Sequence, residues 1–189
     1  MPHRRLSWRN SFRHYGAISL SLHWGMALLV FAMLGLGWGR TFAPGIWKPL
    51  ITQAHVITGM LLLILLPVRL CWRFYDKPPA LLESLLPVQK LAAHAMHILL
   101  YILLFVMPLS GWLMLSAMGR KPSFLGVFEL PPLLQKTPSL VPVLKSLHGL
   151  MAQGFAVFVI LHLAAGLLHH FVHRDETLTR MLPFLNKRA

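Results

Sequence analysis

Charge is scarce in this chain, and acid is scarcest: five Asp and Glu stand against eighteen Lys and Arg in 189 residues. Only 12% of the residues are charged while 56% are hydrophobic. That balance excludes an ordinary soluble domain as the starting assumption and puts a bilayer-embedded chain in its place. Cysteine is nearly absent. Cys71 stands alone, which excludes an intrachain disulfide and any thiolate cluster for zinc or iron–sulfur, so it is expected to be inert packing within an apolar span. There is no low-complexity tract, no visible internal repeat and no second domain. Residues 1–13 are basic and lack an apolar h-region, and no small-residue cleavage site follows the first span. A retained first helix is therefore expected rather than a signal peptide.

What the chain does have is four long stretches with almost no charge, 17–38, 52–66, 91–117 and 147–172, each of spanning or near-spanning length. The second is extended to about 74, because Arg69 and Arg73 can bury their stems and snorkel outward. The expected fold is all-α, an integral membrane four-helix bundle over 17–173 with helices at about 17–38, 52–74, 91–117 and 146–172. Segments 1–16 and 174–189 flank it. Connections fall at Pro, Gly and charge, in 40–48, 76–87 and 118–142, the last being the longest.

An even number of spans puts both termini on one side. That side collects Arg4, Arg5, Arg9, Arg13, Arg69, Arg73, Lys77, Lys90, Arg174, Arg180, Lys187 and Arg188, against Arg40, Lys48, Arg120, Lys121, Lys136 and Lys145 on the other. The positive-inside rule then places both termini in the cytoplasm (N-in/C-in). A net charge of +13 raises nucleic acid as a partner, but the basic residues lie in loops between apolar spans rather than on one soluble face, which argues for membrane lipid and against nucleic acid.

Eleven histidines in so apolar a chain need partners, since an imidazole in hydrocarbon must be hydrogen-bonded, face water or ligate something. His148 and His162 are close to four helical turns apart, so they project from nearly one face about 21 Å apart along the axis. His55 shares the depth of His148 near the outer face, and His23 shares that of His162 near the inner face. Two imidazoles from facing helices at one depth are what a six-coordinate haem iron requires, and such ligation leaves no open position. Two haem b groups are therefore expected, on His55/His148 and His23/His162, with no Cys-x-x-Cys-His available for covalent attachment. A small residue follows each of these histidines by four positions, Ala27, Gly59, Ala152 and Gly166, leaving room for a ring, whereas Ile98 and Tyr101 stand in that place for His94 and His97.

Depth alone does not separate His94 and His97 from the inner site, and a polar role beside a propionate or quinone, or plain interfacial packing, stays open for both. His169, His170 and His173 are read as a solvated helix end. Arg69 and Arg73, one turn apart, suit haem propionates through charge-assisted hydrogen bonds and suit positive-inside anchoring equally well.

These residues resemble the bacterial cytochrome b561 family. The matching pieces are Ser21-Leu22-His23-Trp24, His55 to Gly59, Val68 to Arg73, Ala93 to His97, Leu147-His148-Gly149 and Leu161-His162, and 119–131 is similar to the family's outer loop. The likeness covers nearly the whole chain, about 15–183. It implies a bacterial inner-membrane cytochrome that carries electrons to or from quinone, with ubiquinone as acceptor. Because one member of the family is a superoxide oxidase, it also suggests superoxide as an anionic donor. The outer loops carry six basic residues against one acid, Glu129, a field that would steer an anion. The competing reading is a membrane anchor and electron relay for a separate redox protein. A haem-free structural or proton-conducting protein is a third class, against which the regular pairing of histidine with a small residue speaks.

Overall fold

The computed structural model describes residues 7–183. Arg4, Arg5, Lys187 and Arg188, counted above on the side of the termini, lie outside the described residues. Four helices follow one another as α1 (Ala17–Phe42), α2 (Lys48–Tyr75), α3 (Pro87–Ala117) and α4 (Val141–Leu168). Stretches within all four are long and apolar enough to cross a membrane.

The helices overrun the apolar stretches, because charge interrupts hydropathy without interrupting helix. α1 continues through Arg40 and stops only where Pro44 follows, Ala43 N–H closing on the Gly39 carbonyl at 2.9 Å. α2 begins earlier than 52, led in by a 3-10 turn, Gly45–Trp47, with Pro49 in its first turn where no N–H is missed. α3 begins at Pro87 rather than 91, the Gln89 side chain accepting the Leu86 N–H at 2.9 Å. α4 starts at Val141 and passes at Leu168 into a π turn, His169–His173, which the left-handed Arg174 ends.

Neighbours in sequence pack as neighbours in space: α1 on α2, α2 on α3 and α3 on α4, with no comparable backbone packing of α4 on α1 or α2. The core is a layer at mid-bundle formed by Met26, Val30, Met33, Leu62, Leu66, Met107 and Phe155. Many other large apolar side chains point outward, among them Leu28, Phe31, Ile64, Ile102, Phe105, Val157 and Ile160, as a lipid-facing surface requires. Cys71 belongs to that surface. It is exposed, in a shallow apolar groove with Leu22, Val68 and Trp72, and is not the packed residue expected.

The two ends of the bundle are finished differently. At the end bearing the termini, a strap before α1 binds the end of α2: Asn10 donates its backbone N–H to the Asp76 carboxylate at 2.8 Å and its side-chain amide to the Asp76 carbonyl at 3.0 Å. Arg9 pairs with the same carboxylate at 3.5 Å. Beyond Arg174 the chain turns back, Trp24 donating to the Met181 carbonyl at 2.8 Å and Arg180 to the Ala80 carbonyl at 2.9 Å. At the other end the α3–α4 loop folds into a small antiparallel hairpin, β1 (Ser123–Phe124) with β2 (Phe128–Glu129). Its turn takes left-handed backbone at Leu125 and Gly126, the conformation that matches strand twist in tight hairpins. The loop is pinned to α3 by Trp112 donating to the Pro131 carbonyl at 2.9 Å and Leu133 N–H to the Ser116 hydroxyl at 3.0 Å.

Candidate functional site

Four histidines meet in two places along α4. At the hairpin end, His55 of α2 and His148 of α4 face each other with ring centroids 6.2 Å apart. Toward the end of the termini, His23 of α1 and His162 of α4 stand 6.3 Å apart. Two imidazoles bridged by one metal ion have centroids about 6 Å apart, two metal–nitrogen bonds of about 2 Å plus two ring radii. Both pairs match that separation. Among the described residues, no three or more His, Cys, Asp or Glu side chains converge as a bare-ion site would need.

At the hairpin end the tautomers are set by what the other ring nitrogen touches. His55 Nδ1 lies 3.1 Å from the Met33 carbonyl. A carbonyl only accepts, so Nδ1 carries the proton and Nε2 presents its lone pair. His148 Nδ1 lies 2.7 Å from Ser110 Oγ, which lies 2.7 Å from the Met107 carbonyl. The single hydroxyl proton goes to that carbonyl, so the serine oxygen accepts from His148 and again frees Nε2. Each ring also lies against a glycine: a Cβ on Gly37 would stand 3.3 Å from His55 Cε1, and one on Gly111 3.4 Å from His148 Cε1. Between these rings lies a cavity of about 360 Å³, lined by both histidines and by Gly59, Ala152, Trp38 and Trp112, within the range of cofactor sites. Arg40 and Lys145 also line it.

The other pair is set differently. Arg69 Nη2 is 3.1 Å from His23 Nδ1, and a guanidinium only donates, so here Nδ1 accepts and Nε2 carries the proton. Arg69 also donates to the Tyr101 hydroxyl at 3.3 Å. Arg73 lies one turn further along, in the last turn of α2. His97 joins the cluster, 5.4 Å from His162, a separation shorter than a bridged pair requires. His94 is held apart, exposed and with Nδ1 donating to the Lys90 carbonyl of its own helix at 2.8 Å. Structure thus separates two histidines that depth did not. Gly166 faces Leu178 of the returning chain, so its small size accommodates a protein side chain.

His169 departs from the solvated helix end expected of it. The reversal at Arg174 brings Asp175 back to within 2.6 Å of His169 Nδ1. Burial raises the Asp175 pKa, but the hydrogen bonds from Thr177 and then His169 outweigh it and hold the carboxyl below its ordinary value.

Sequence reading missed Gly37, Ser110 and Gly111, although a signal was present. His23, Met33, Gly37 and Trp38 of α1 are in constant register with His97, Met107, Gly111 and Trp112 of α3, as are His55, Gly59 and Arg69 of α2 with His148, Ala152 and His162 of α4. The α1–α2 and α3–α4 hairpins are two renderings of one pattern. They agree at the hairpin end and, apart from His23 with His97, diverge at the other, where Arg69 takes the place that corresponds to His162.

A sequence model of the prokaryotic cytochrome b561 family matches residues 14–184. The chain belongs to that family. It is 36% identical over 180 residues to "Cytochrome b561 homolog 2" of Escherichia coli (strain K12), covering 94% of this chain and 95% of that one. It is 31% identical to the "Probable superoxide oxidase CybB" of Yersinia pestis (90% and 97% covered) and 29% identical to "Cytochrome b561 homolog 1" of Escherichia coli (strain K12) (89% and 97%). This b561 chain is accordingly a bacterial membrane b-type cytochrome, a haem-binding electron carrier with oxidoreductase chemistry.

Proposed function

We propose that the cytochrome holds two haem b groups, one between His55 and His148 and one between His23 and His162, and passes electrons from superoxide at the hairpin end through them to ubiquinone. The observation that carries this reading is the repeated ring separation of 6.2 and 6.3 Å, with α4 contributing one imidazole to each pair. Haem b so ligated supplies reversible one-electron uptake and release with no open coordination position.

The remaining roles fall to the chain. Met33 and Ser110 orient the hairpin-end rings, and the mid-bundle apolar layer excludes water between the sites. Arg69 and Arg73 offer cations for propionates, which at Arg69 means exchanging its contact with His23. Two superoxide ions, each losing one electron to become dioxygen, together with two protons convert one ubiquinone to ubiquinol. The name of the Yersinia pestis relative and the basic lining of the hairpin-end cavity, Arg40 and Lys145, support superoxide as donor. We place both termini in the cytoplasm of a bacterium with the protein in its inner membrane, on the distribution of basic residues. A relay to a separate redox protein is the second reading, favoured by the apolar hairpin tip, where Leu125 is 66% and Val127 80% exposed.

The test is to mix purified oxidised protein with superoxide and a soluble ubiquinone while following haem reduction and quinol formation. We expect both, at a rate that falls as salt rises from 0.1 to 1 M, because the screening length shrinks from about 10 Å to about 3 Å. Lys145→Gln should slow the reaction with superoxide several-fold while sparing an uncharged donor. Absence of quinol would remove the superoxide–quinone assignment and leave the relay.

A further inference from the structure

The hairpin-end imidazoles are held by matching devices that differ by one group. His55 Nδ1–H reaches the Met33 carbonyl directly, whereas His148 Nδ1–H reaches the corresponding carbonyl, that of Met107, only through the Ser110 hydroxyl. In α1 the residue in register with Ser110 is Leu36, which has no group for such a relay. We propose that Ser110 is a positioning residue that makes the two imidazoles of this site electronically unequal and lowers the reduction potential of the haem between them. The inference rests on the assignment of that haem to His55 and His148.

The chemistry follows from the direction of the hydrogen bonds. An imidazole that donates its Nδ1–H is a stronger base at Nε2, and a more basic ligand favours the more positive, oxidised iron. A hydroxyl that itself donates onward is polarised by that second bond and becomes the better acceptor. Both links are short, at 2.7 Å each, and sit in an apolar span where a lost partner is not readily replaced by water. Gly111 allows the ring to lie close against α3, which brings His148 within reach of the hydroxyl.

Redox titration of the purified two-haem protein tests this, with wild type beside S110A, S110T and S110C. The hairpin-end haem is identified as the one missing from His148→Ala. We expect S110A to keep both haems and raise the hairpin-end potential by a tenfold shift of its one-electron equilibrium, about 59 mV, with the other haem unmoved. S110T, which keeps the hydroxyl, should titrate as wild type. If S110A fails to hold the haem, S110C carries the test, because a thiol accepts weakly and its potential must still rise. An unshifted potential in S110A or S110C, an equal shift in S110T, or a shift of the other haem overturns the proposal. Retention of both haems in His148→Ala would instead overturn the ligand assignment on which it rests.

Discussion

The two histidine pairs have the same ring separation and opposite preparation. At the hairpin end both Nδ1 atoms donate to acceptors on a neighbouring helix, so both Nε2 lone pairs are left free for ligation. Toward the termini, the guanidinium of Arg69 donates to His23 Nδ1, and ligation through Nε2 requires that contact to be given up and the proton moved. One site is preorganised, and the other contains a cation poised between a histidine and whatever anionic group enters. The difference teaches that separation and orientation are specified independently: helix register gives the first, and the partner of the second ring nitrogen gives the other.

The largest effect expected from breaking this comparison comes from the ligands themselves. His148→Ala should remove only the hairpin-end haem and His162→Ala only the other, because the two residues share α4 but stand about 21 Å apart. Haem content per chain by pyridine haemochrome, read together with redox titration, distinguishes the outcomes. Equal loss of both haems in either variant would mean that the sites are one cooperative unit.

A smaller and one-sided effect is expected at the glycines. Gly111→Val places branched carbon where a Cβ alone would already approach His148 to 3.4 Å. It should lower hairpin-end haem occupancy by several-fold while leaving the other site filled. Gly35→Ala, whose Cβ would have nothing within 4 Å and which is exposed outside the cavity lining, serves as the control and should bind both haems normally. A full complement of haem in Gly111→Val would show that the ring has freedom the packing denies it.

The smallest effect lies beyond the membrane, on the chain that returns under the second site. Asp175 has its pKa lowered by its hydrogen bonds from Thr177 and His169, against the opposing effect of burial. Its contribution is therefore present above the unfolded value of about 3.9 and is lost as pH falls through the folded one. Asp175→Asn should loosen residues 177–182 by about 1 kcal/mol or less, measured as faster amide exchange there at neutral pH. The difference from wild type should vanish in acid. Exchange unchanged at neutral pH would assign the ordering of this segment to Trp24 and Arg180 instead.

Much of this was legible in the residues. Scarcity of charge located the four spans, and the spacing of His148 and His162 places them at two levels along one helix. What stayed hidden was what depends on contacts between helices. The partner of His55 is a backbone carbonyl, which every residue offers, so no side chain at position 33 advertises it. Ser110 reads as an ordinary small residue of a membrane helix until α4 is laid beside α3. His97 and His94 share a depth and differ only in which way they face, a distinction that the turn of α3 makes and hydropathy does not. The hairpin tip was illegible for another reason: Leu125 adopts left-handed backbone, a conformation its side chain disfavours.

The mid-bundle layer of Met26, Val30, Met33, Leu62, Leu66, Met107 and Phe155 makes the cytochrome, on the reading proposed above, an electrical element as well as a chemical one. It separates the two ends with side chains that carry neither charge nor a chain of proton-transferring groups. An electron crossing it is not accompanied by a proton along the same route, so net charge moves through the membrane field. A full crossing is worth about 2.3 kcal/mol per 100 mV. The resting voltage of the cell therefore enters the equilibrium between the two sites and opposes transfer toward the negative side, so the same protein runs more readily in a de-energised membrane than in a charged one.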